Sequence, residues 1–294
     1  MHIPGFSEHK QKLNGIDIAW SEGGDGAPLL LLHGFPQTRA LWAEIAPLLA
    51  KTHRVICPDL RGYGDSEKPA AVEAYRFRHM AQDQIALMAA LGFARFAVAG
   101  HDRGGRVAHR LSLDAPDRVT ALALMDIVPT HTLLDPLRRD VAQAYYHWFF
   151  LAQPEPLPET MISHDPDAFF LSCLFGWGAA QRDDFKADQL ATYQMFWRKP
   201  DVIRGMCNDY RAALTYDFHD DADDLDARVT CPALILYGAV GAMGRTYDMR
   251  EAWADKCKDF EVVGVPGGHF FPDTAPTETA KELLSFFAAA QGSD

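Results

Sequence analysis

Six short apolar runs punctuate the chain, at residues 29–32, 54–57, 96–99, 121–125, 233–237 and 260–265. The first four end in His33-Gly34-Phe35-Pro36, in Pro58-Asp59, at Gly100 and at Asp126. Runs that are apolar throughout, rather than alternating, predict strands buried on both faces. Between them, residues 79–91, 103–113 and 277–290 carry apolar side chains at helical spacing. The alternation predicts an α/β chain with a mostly parallel sheet and helices on both faces. Residues 11–20 predict one more strand ahead of the first run. The rhythm breaks between about 128 and 228. That stretch shows no clear buried strand and is rich in aromatics, including Tyr145, Tyr146, Trp148, Trp177, Tyr193 and Trp197. It predicts a helical cap inserted after the strand that ends at Asp126, with a loop at Pro154-Glu155-Pro156-Leu157-Pro158. The expected organisation is a core made of 1–127 and 229–294 and a cap made of 128–228.

Composition narrows the partners. The 294 residues are 48% apolar and 23% charged, enough to bury a sizeable core. Lys and Arg number 28 against 40 Asp and Glu, a net charge of -12. Neither nucleic acid nor an anionic membrane is expected as a partner, since both require basic surface. A small anion is still allowed, because buried arginines act at short range while the diffuse field is screened within roughly 8 Å. The five cysteines (Cys57, Cys173, Cys207, Cys231 and Cys257) form no C-x-x-C pair. They read as small core residues in a reducing, cytoplasmic compartment rather than as a disulfide framework or a zinc site. The first 21 residues lack the basic start and apolar run of a signal peptide.

The chemistry is concentrated at Gly100-His101-Asp102-Arg103-Gly104, between an apolar run and a helical stretch. This is the setting of the nucleophile elbow of α/β-hydrolase sheets, where G-x-S-x-G would supply a serine. Here the central residue is an aspartate. A carboxylate is already ionised at neutral pH and can displace a leaving group from an sp3 carbon, forming an ester on the enzyme. The competing reading of Asp102 is a helix N-cap, a position Asp often takes. Cleaving such an ester needs a base, an orienting acid and an oxyanion hole. His269, in Pro266-Gly267-Gly268-His269-Phe270 after the last run, is the candidate base among twelve histidines. The acid of this fold can follow the penultimate strand, but Gly238-Ala239-Val240-Gly241-Ala242-Met243 offers no carboxylate. Asp126 is the remaining candidate, unless it only caps the entrance to the inserted segment. The backbone N–H groups of Phe35 and Arg103 are expected to form the oxyanion hole. His33 and His101 are expected to shape loops.

Arg103 and Arg106 lie three apart at the start of the helix, on roughly one face. They are placed to hold a substrate carboxylate and present its α-carbon to Asp102, unless one or both pair with a core carboxylate. These motifs, with Tyr146-His147-Trp148 and Gly268-His269-Phe270, resemble those of the haloacetate dehalogenases, including the fluoroacetate dehalogenases, over nearly the whole chain. The arginines and His147-Trp148 are the more specific part of that likeness. The resemblance implies halide binding by His147, Trp148 and Tyr210, the last matched in Asn208-Asp209-Tyr210-Arg211, with Trp177 at the entrance. It also implies hydrolysis of a 2-haloacetate to glycolate, no metal or organic cofactor, and a homodimer. For each cap aromatic, ordinary packing is the alternative. An epoxide hydrolase would use the same three catalytic residues with cap tyrosines as acid, but a neutral epoxide has no need of the arginines. A non-catalytic binding protein of this fold is the reading from a different class.

Overall fold

The computed structural model describes residues 3–135, 137–176 and 180–291. Among them are eight strands: β1 (Ser7–Leu13), β2 (Ile16–Gly23), β3 (Ala27–Leu32), β4 (His53–Pro58), β5 (Phe96–His101), β6 (Val119–Met125), β7 (Ala233–Gly238) and β8 (Phe260–Val265). They form one sheet in the order β1-β2-β4-β3-β5-β6-β7-β8. β1 runs antiparallel to β2, and β2 to β4; every other pair is parallel. All six apolar runs are strands, as their pattern predicts. The seventh expectation needs correction: residues 11–20 are not one strand but parts of a hairpin. The chain reverses at Asn14-Gly15, both at positive φ (49° and 84°), the dipeptide that favours a tight hairpin turn. β8 also departs from the expected pattern. It lies at the sheet edge and is mostly half-buried or exposed.

The reason the central runs lack polar positions is visible in their packing. Leu29, Leu30, Leu31 and Leu32 are all fully buried. Leu30 and Leu32 face one core with Val98, Val107 and Leu111, while Leu29 and Leu31 face the other with Trp42, Ala97 and Phe287. Each such leucine stabilises the fold by roughly 1.5–3 kcal/mol relative to exposure.

Between β6 and β7 the described residues form helices and turns, from Thr130–Leu134 to Phe218–Asp223. One expected loop is shorter than its five residues suggest. Leu157–His164 is a helix with Pro158 in its first turn, where a missing N–H costs nothing. This helical segment is tied over the rest of the chain. The Gln189 side chain donates to the Ala40 carbonyl at 2.9 Å, and the Tyr63 hydroxyl donates to Asp209 at 2.6 Å. Beneath it, the C-terminal ends of β3, β5, β6 and β8 lead into Phe35, Asp102, Asp126 and His269, at the edge where open α/β sheets bind ligands. No helix among the described residues is long and apolar enough to cross a membrane.

Candidate active site

β5 runs into Asp102, which adopts φ 49° and ψ -115°, and the chain turns at once into the helix Arg103–Asp114. Such a sharp turn requires glycine on both sides. A Cβ on Gly100 would strike the Gly104 carbonyl, and one on Gly104 would strike the carbonyl of His33. The helix-cap alternative for Asp102 fails on its contacts. Asp102 occupies the N-cap position, but its side chain makes no capping hydrogen bond. Instead Oδ1 accepts from the Phe35 backbone N–H at 2.9 Å.

The other oxygen, Oδ2, is 3.7 Å from His269 Nε2. His269 Nδ1 bonds Asp126 Oδ2 at 2.6 Å. Asp126 Oδ1 in turn accepts from the Gly238 backbone N–H at 2.9 Å. Asp126 therefore orients an imidazole rather than capping the inserted segment. Burial alone would raise the Asp102 pKa. The opposing effects of His269, His101, Arg103 and the Phe35 N–H win, and hold it down at about 2. For His269, burial alone would lower the pKa, but the hydrogen bond and charge of Asp126, with Asp102 behind them, raise it. Asp102 is thus a carboxylate at any ordinary pH. His101 is fully buried, held near 4 first by burial and then by the charge of His269, and its Nε2 meets the His269 carbonyl at 2.9 Å. His33 receives the Leu60 N–H on Nε2 and places Nδ1 2.9 Å from the Gly34 carbonyl. Both histidines hold loops, as their motifs suggest.

The two arginines differ in a way their spacing does not reveal. Arg103 forms a two-pronged ion pair with Asp209 through Nε and Nη2, with no solvent exposure on either side chain. Its fork is therefore occupied, and only Nη1 is left without a partner. Arg106 has no carboxylate within salt-bridge distance among the described residues. Its Nη1 donates to the Val128 carbonyl at 3.0 Å and the Thr130 hydroxyl at 3.1 Å, while Nε is buried and unpartnered. Burial, then the charge of Arg103, lower its pKa.

Trp148 lies against both guanidiniums, at 5.0 Å from Arg103 and 4.7 Å from Arg106. Tyr210 sits 4.4 Å from Arg103 and edge-on to Trp148 at 5.3 Å and to His147 at 5.6 Å. His147 stacks on Phe35 at 6.0 Å. All three cap residues are buried, so the structure brings them together around Phe35 and Arg103. Trp177 lies outside the described residues. No group of three or more His, Cys, Asp or Glu among the described residues is arranged to hold a metal ion.

A family model described as "alpha/beta hydrolase fold" matches residues 27–276. A fluoroacetate dehalogenase from Burkholderia sp. is 48% identical, over 98% of this chain and 95% of its own. The chain belongs to the haloacetate dehalogenase branch of the α/β-hydrolase family. Other members are close to it. A soluble epoxide hydrolase from Corynebacterium sp. (strain C12) is 33% identical, over 96% of this chain and 98% of its own. The crystal structure of a chain from Nostoc sp. PCC 7120, whose name places it among the alpha/beta hydrolases, superposes with a TM-score of 0.95. It is 45% identical, over 97% of this chain and 99% of that one.

Three residues of this hydrolase's site escape sequence reasoning. Asp209 binds Arg103 across 106 positions, and Tyr63 supplies its hydroxyl to the same carboxylate. Phe77 packs under the Arg103 guanidinium at 4.6 Å. Nothing local marks any of them. The one usable signal is that Asp209 directly precedes Tyr210, an acidic residue inside a buried helical stretch that must have a partner.

Proposed function

We propose that this hydrolase converts 2-haloacetates, fluoroacetate or chloroacetate, to glycolate and halide through an ester on Asp102. The observation that carries this is the pairing of two charges side by side: an ionised, hydrogen-bonded carboxylate and, on the next helical turn, a buried guanidinium with no carboxylate partner among the described residues. Arg106 fits a substrate anion, and Arg103 can add the N–H of Nη1. A carboxylate so held puts its α-carbon in front of Asp102. Displacement breaks the carbon–halogen bond and forms the ester. His147, Trp148 and Tyr210 surround the departing halide, where donors aimed at developing charge lower the barrier.

Water then attacks the ester carbonyl. His269, oriented by Asp126, takes the proton, and the Phe35 and Arg103 N–H groups receive the oxyanion. Glycolate leaves with its new oxygen drawn from Asp102. We take residues 128–228 as the cap over a core of 1–127 and 229–294, and the working form as a homodimer, in line with the family. The five free cysteines suit a reducing, cytoplasmic setting. The test is a single turnover of chloroacetate in oxygen-18 water. Label is expected in the Asp102 carboxylate and absent from the first glycolate; label appearing directly and only in glycolate excludes the ester.

A further inference from the structure

Tyr210 has more to offer than a halide requires. Its ring meets Phe35 at 5.1 Å, Trp148 at 5.3 Å and His147 at 5.6 Å, with the Arg103 guanidinium above it at 4.4 Å. The side chain is fully buried, and its hydroxyl meets no partner among the described residues. Leaving a buried hydroxyl unsatisfied costs about 1–3 kcal/mol. A ligand that accepts its hydrogen recovers that cost. Burial, then the charge of Asp102, push its pKa well above the ordinary 10, so the group stays a protonated phenol, weaker as an acid but able to donate its hydrogen. A departing halide accepts a hydrogen bond and takes no proton. A departing alkoxide must be protonated to leave. Arg106, meanwhile, calls for a carboxylate on the carbon that reacts.

We propose that the same site opens epoxides that carry a carboxylate on a ring carbon, oxirane-2-carboxylates, and yields the 2,3-dihydroxy acid. This rests on Asp102 as nucleophile and Arg106 as carboxylate holder. The substrate is only one heavy atom larger than a haloacetate. Held by Arg106, it presents C2 to Asp102 and its ring oxygen to the halide site. Asp102 forms an ester bond to C2 as the C2–O bond breaks, with inversion. The electron pair passes to the ring oxygen, which takes the Tyr210 proton and becomes the C3 hydroxyl. Water activated by His269 then cleaves the ester. The proton set free when the Asp102 carboxylate re-forms balances the one that returns to Tyr210, so water is the only co-reactant.

The experiment runs oxirane-2-carboxylate and chloroacetate side by side on the intact enzyme, with glycerate and glycolate read by mass spectrometry in oxygen-18 water. Glycerate is expected, inverted at C2, its C2 hydroxyl unlabelled in the first turnover because the oxygen comes from Asp102. Tyr210→Phe should lower epoxide opening by on the order of 100-fold or more, the lower end for a lost general acid. Chloroacetate turnover should fall as well, since Tyr210 also faces the halide, but by at least tenfold less than epoxide opening; thermal unfolding, read separately, shows that the variant is folded. Glycolate without glycerate overturns the epoxide proposal and leaves the haloacetate reading intact. Neither product overturns both. Attack at C3 overturns the anchoring by Arg106, and equal losses on both substrates overturn Tyr210 as the acid.

Discussion

Replacing Arg103 and Arg106 in turn by methionine, similar in length but uncharged, should have opposite consequences. Arg103 and Asp209 form an ion pair with no solvent exposure. Removing one partner of such a pair strands the other charge and typically costs about 3–5 kcal/mol. Arg106 has no carboxylate to strand. Its removal gives up two hydrogen bonds, to Val128 O and Thr130 Oγ1, at roughly 1.5–3 kcal/mol each for a charged donor. It also relieves the burial of a cation, a penalty of several kcal/mol. The two contributions to Arg106→Met are of similar size and opposite sign, so its net effect on stability should be within about 2 kcal/mol of zero.

At roughly 2–4 °C per kcal/mol for a chain of about 200 residues, and less for a longer one, Arg103→Met should lower the melting temperature by on the order of 10 °C. Arg106→Met should move it by a few degrees at most. Activity reverses the ranking in relation to stability. Losing the charged hydrogen bonds to the substrate carboxylate, about 1.5–3 kcal/mol each, should cut kcat/KM for chloroacetate in folded Arg106→Met by about 100-fold or more. Thermal unfolding and steady-state kinetics on the two variants decide the matter. Equal thermal losses would mean that Arg106 has a structural counter-charge, and a folded Arg106→Met within tenfold of the parent would refute its role as anion holder.

Three further outcomes follow from the same geometry. His269→Ala should accumulate the ester, seen as a covalent mass increment on the peptide containing Asp102; normal turnover by this variant would rule out His269 as the base. With Asp102 held near pKa 2, kcat/KM, which ends at irreversible displacement, should be flat from pH 5 to 8. kcat should instead fall towards acid as His269, whose pKa is raised, takes up its proton; an acid limb in kcat/KM near neutrality contradicts the assignment. Asp273 is fully buried with only the Tyr193 hydroxyl and the Gln37 amide on its carboxyl, and burial, against those two hydrogen bonds, raises its pKa to about 7. Because the folded chain holds this proton more tightly than the unfolded one, stability should decline by roughly 3 kcal/mol between pH 4 and 7. Asp273→Asn, which cannot ionise, should flatten that decline and unfold at a higher temperature than the parent at pH 8; parallel profiles would rule out Asp273 as the source.

The strands were legible because central parallel strands leave no polar face, so 96–99 and 121–125 stand out without any partner being known. The hairpin was missed because Ile16 and Ile18 continue the apolar character of Leu13 across Asn14-Gly15, and the turn dipeptide was outweighed by the run. Asp102 and His269, which we propose as nucleophile and base, stand out in the sequence because glycines flank each turn locally. Asp209 does not, because its role exists only once the fold brings Pro200–Ala212 to the Arg103 side chain. The same holds for Asp273, whose contacts come from 80 and 236 positions away. The spacing of Arg103 and Arg106 allows either of them to pair with a core carboxylate; the structure gives that pairing to Arg103, through Asp209, and shows none for Arg106 among the described residues.

The position of Asp126, the acid we propose, follows from the backbone at two neighbouring strand ends. β5 and β6 are adjacent and parallel, and each terminates in an aspartate at positive φ, Asp102 at 49° and Asp126 at 53°. A non-glycine residue in such a conformation costs on the order of 1–3 kcal/mol and persists only where its surroundings over-determine it. Both sites do so with backbone N–H groups at or just past the end of a neighbouring strand: Phe35 holds Asp102, and Gly238 holds Asp126. The last residue of β7, Gly238, thus supplies the donor that fixes a carboxylate after β6. From the end of β6, Asp126 reaches His269, its Oδ2 lying 2.6 Å from Nδ1. Asp126→Asn keeps a side chain able to accept from Gly238 but removes the charge behind the imidazole. Its effect should therefore fall on ester hydrolysis rather than on ester formation, and the separation of those two rates in a burst experiment measures how far orientation and charge contribute independently.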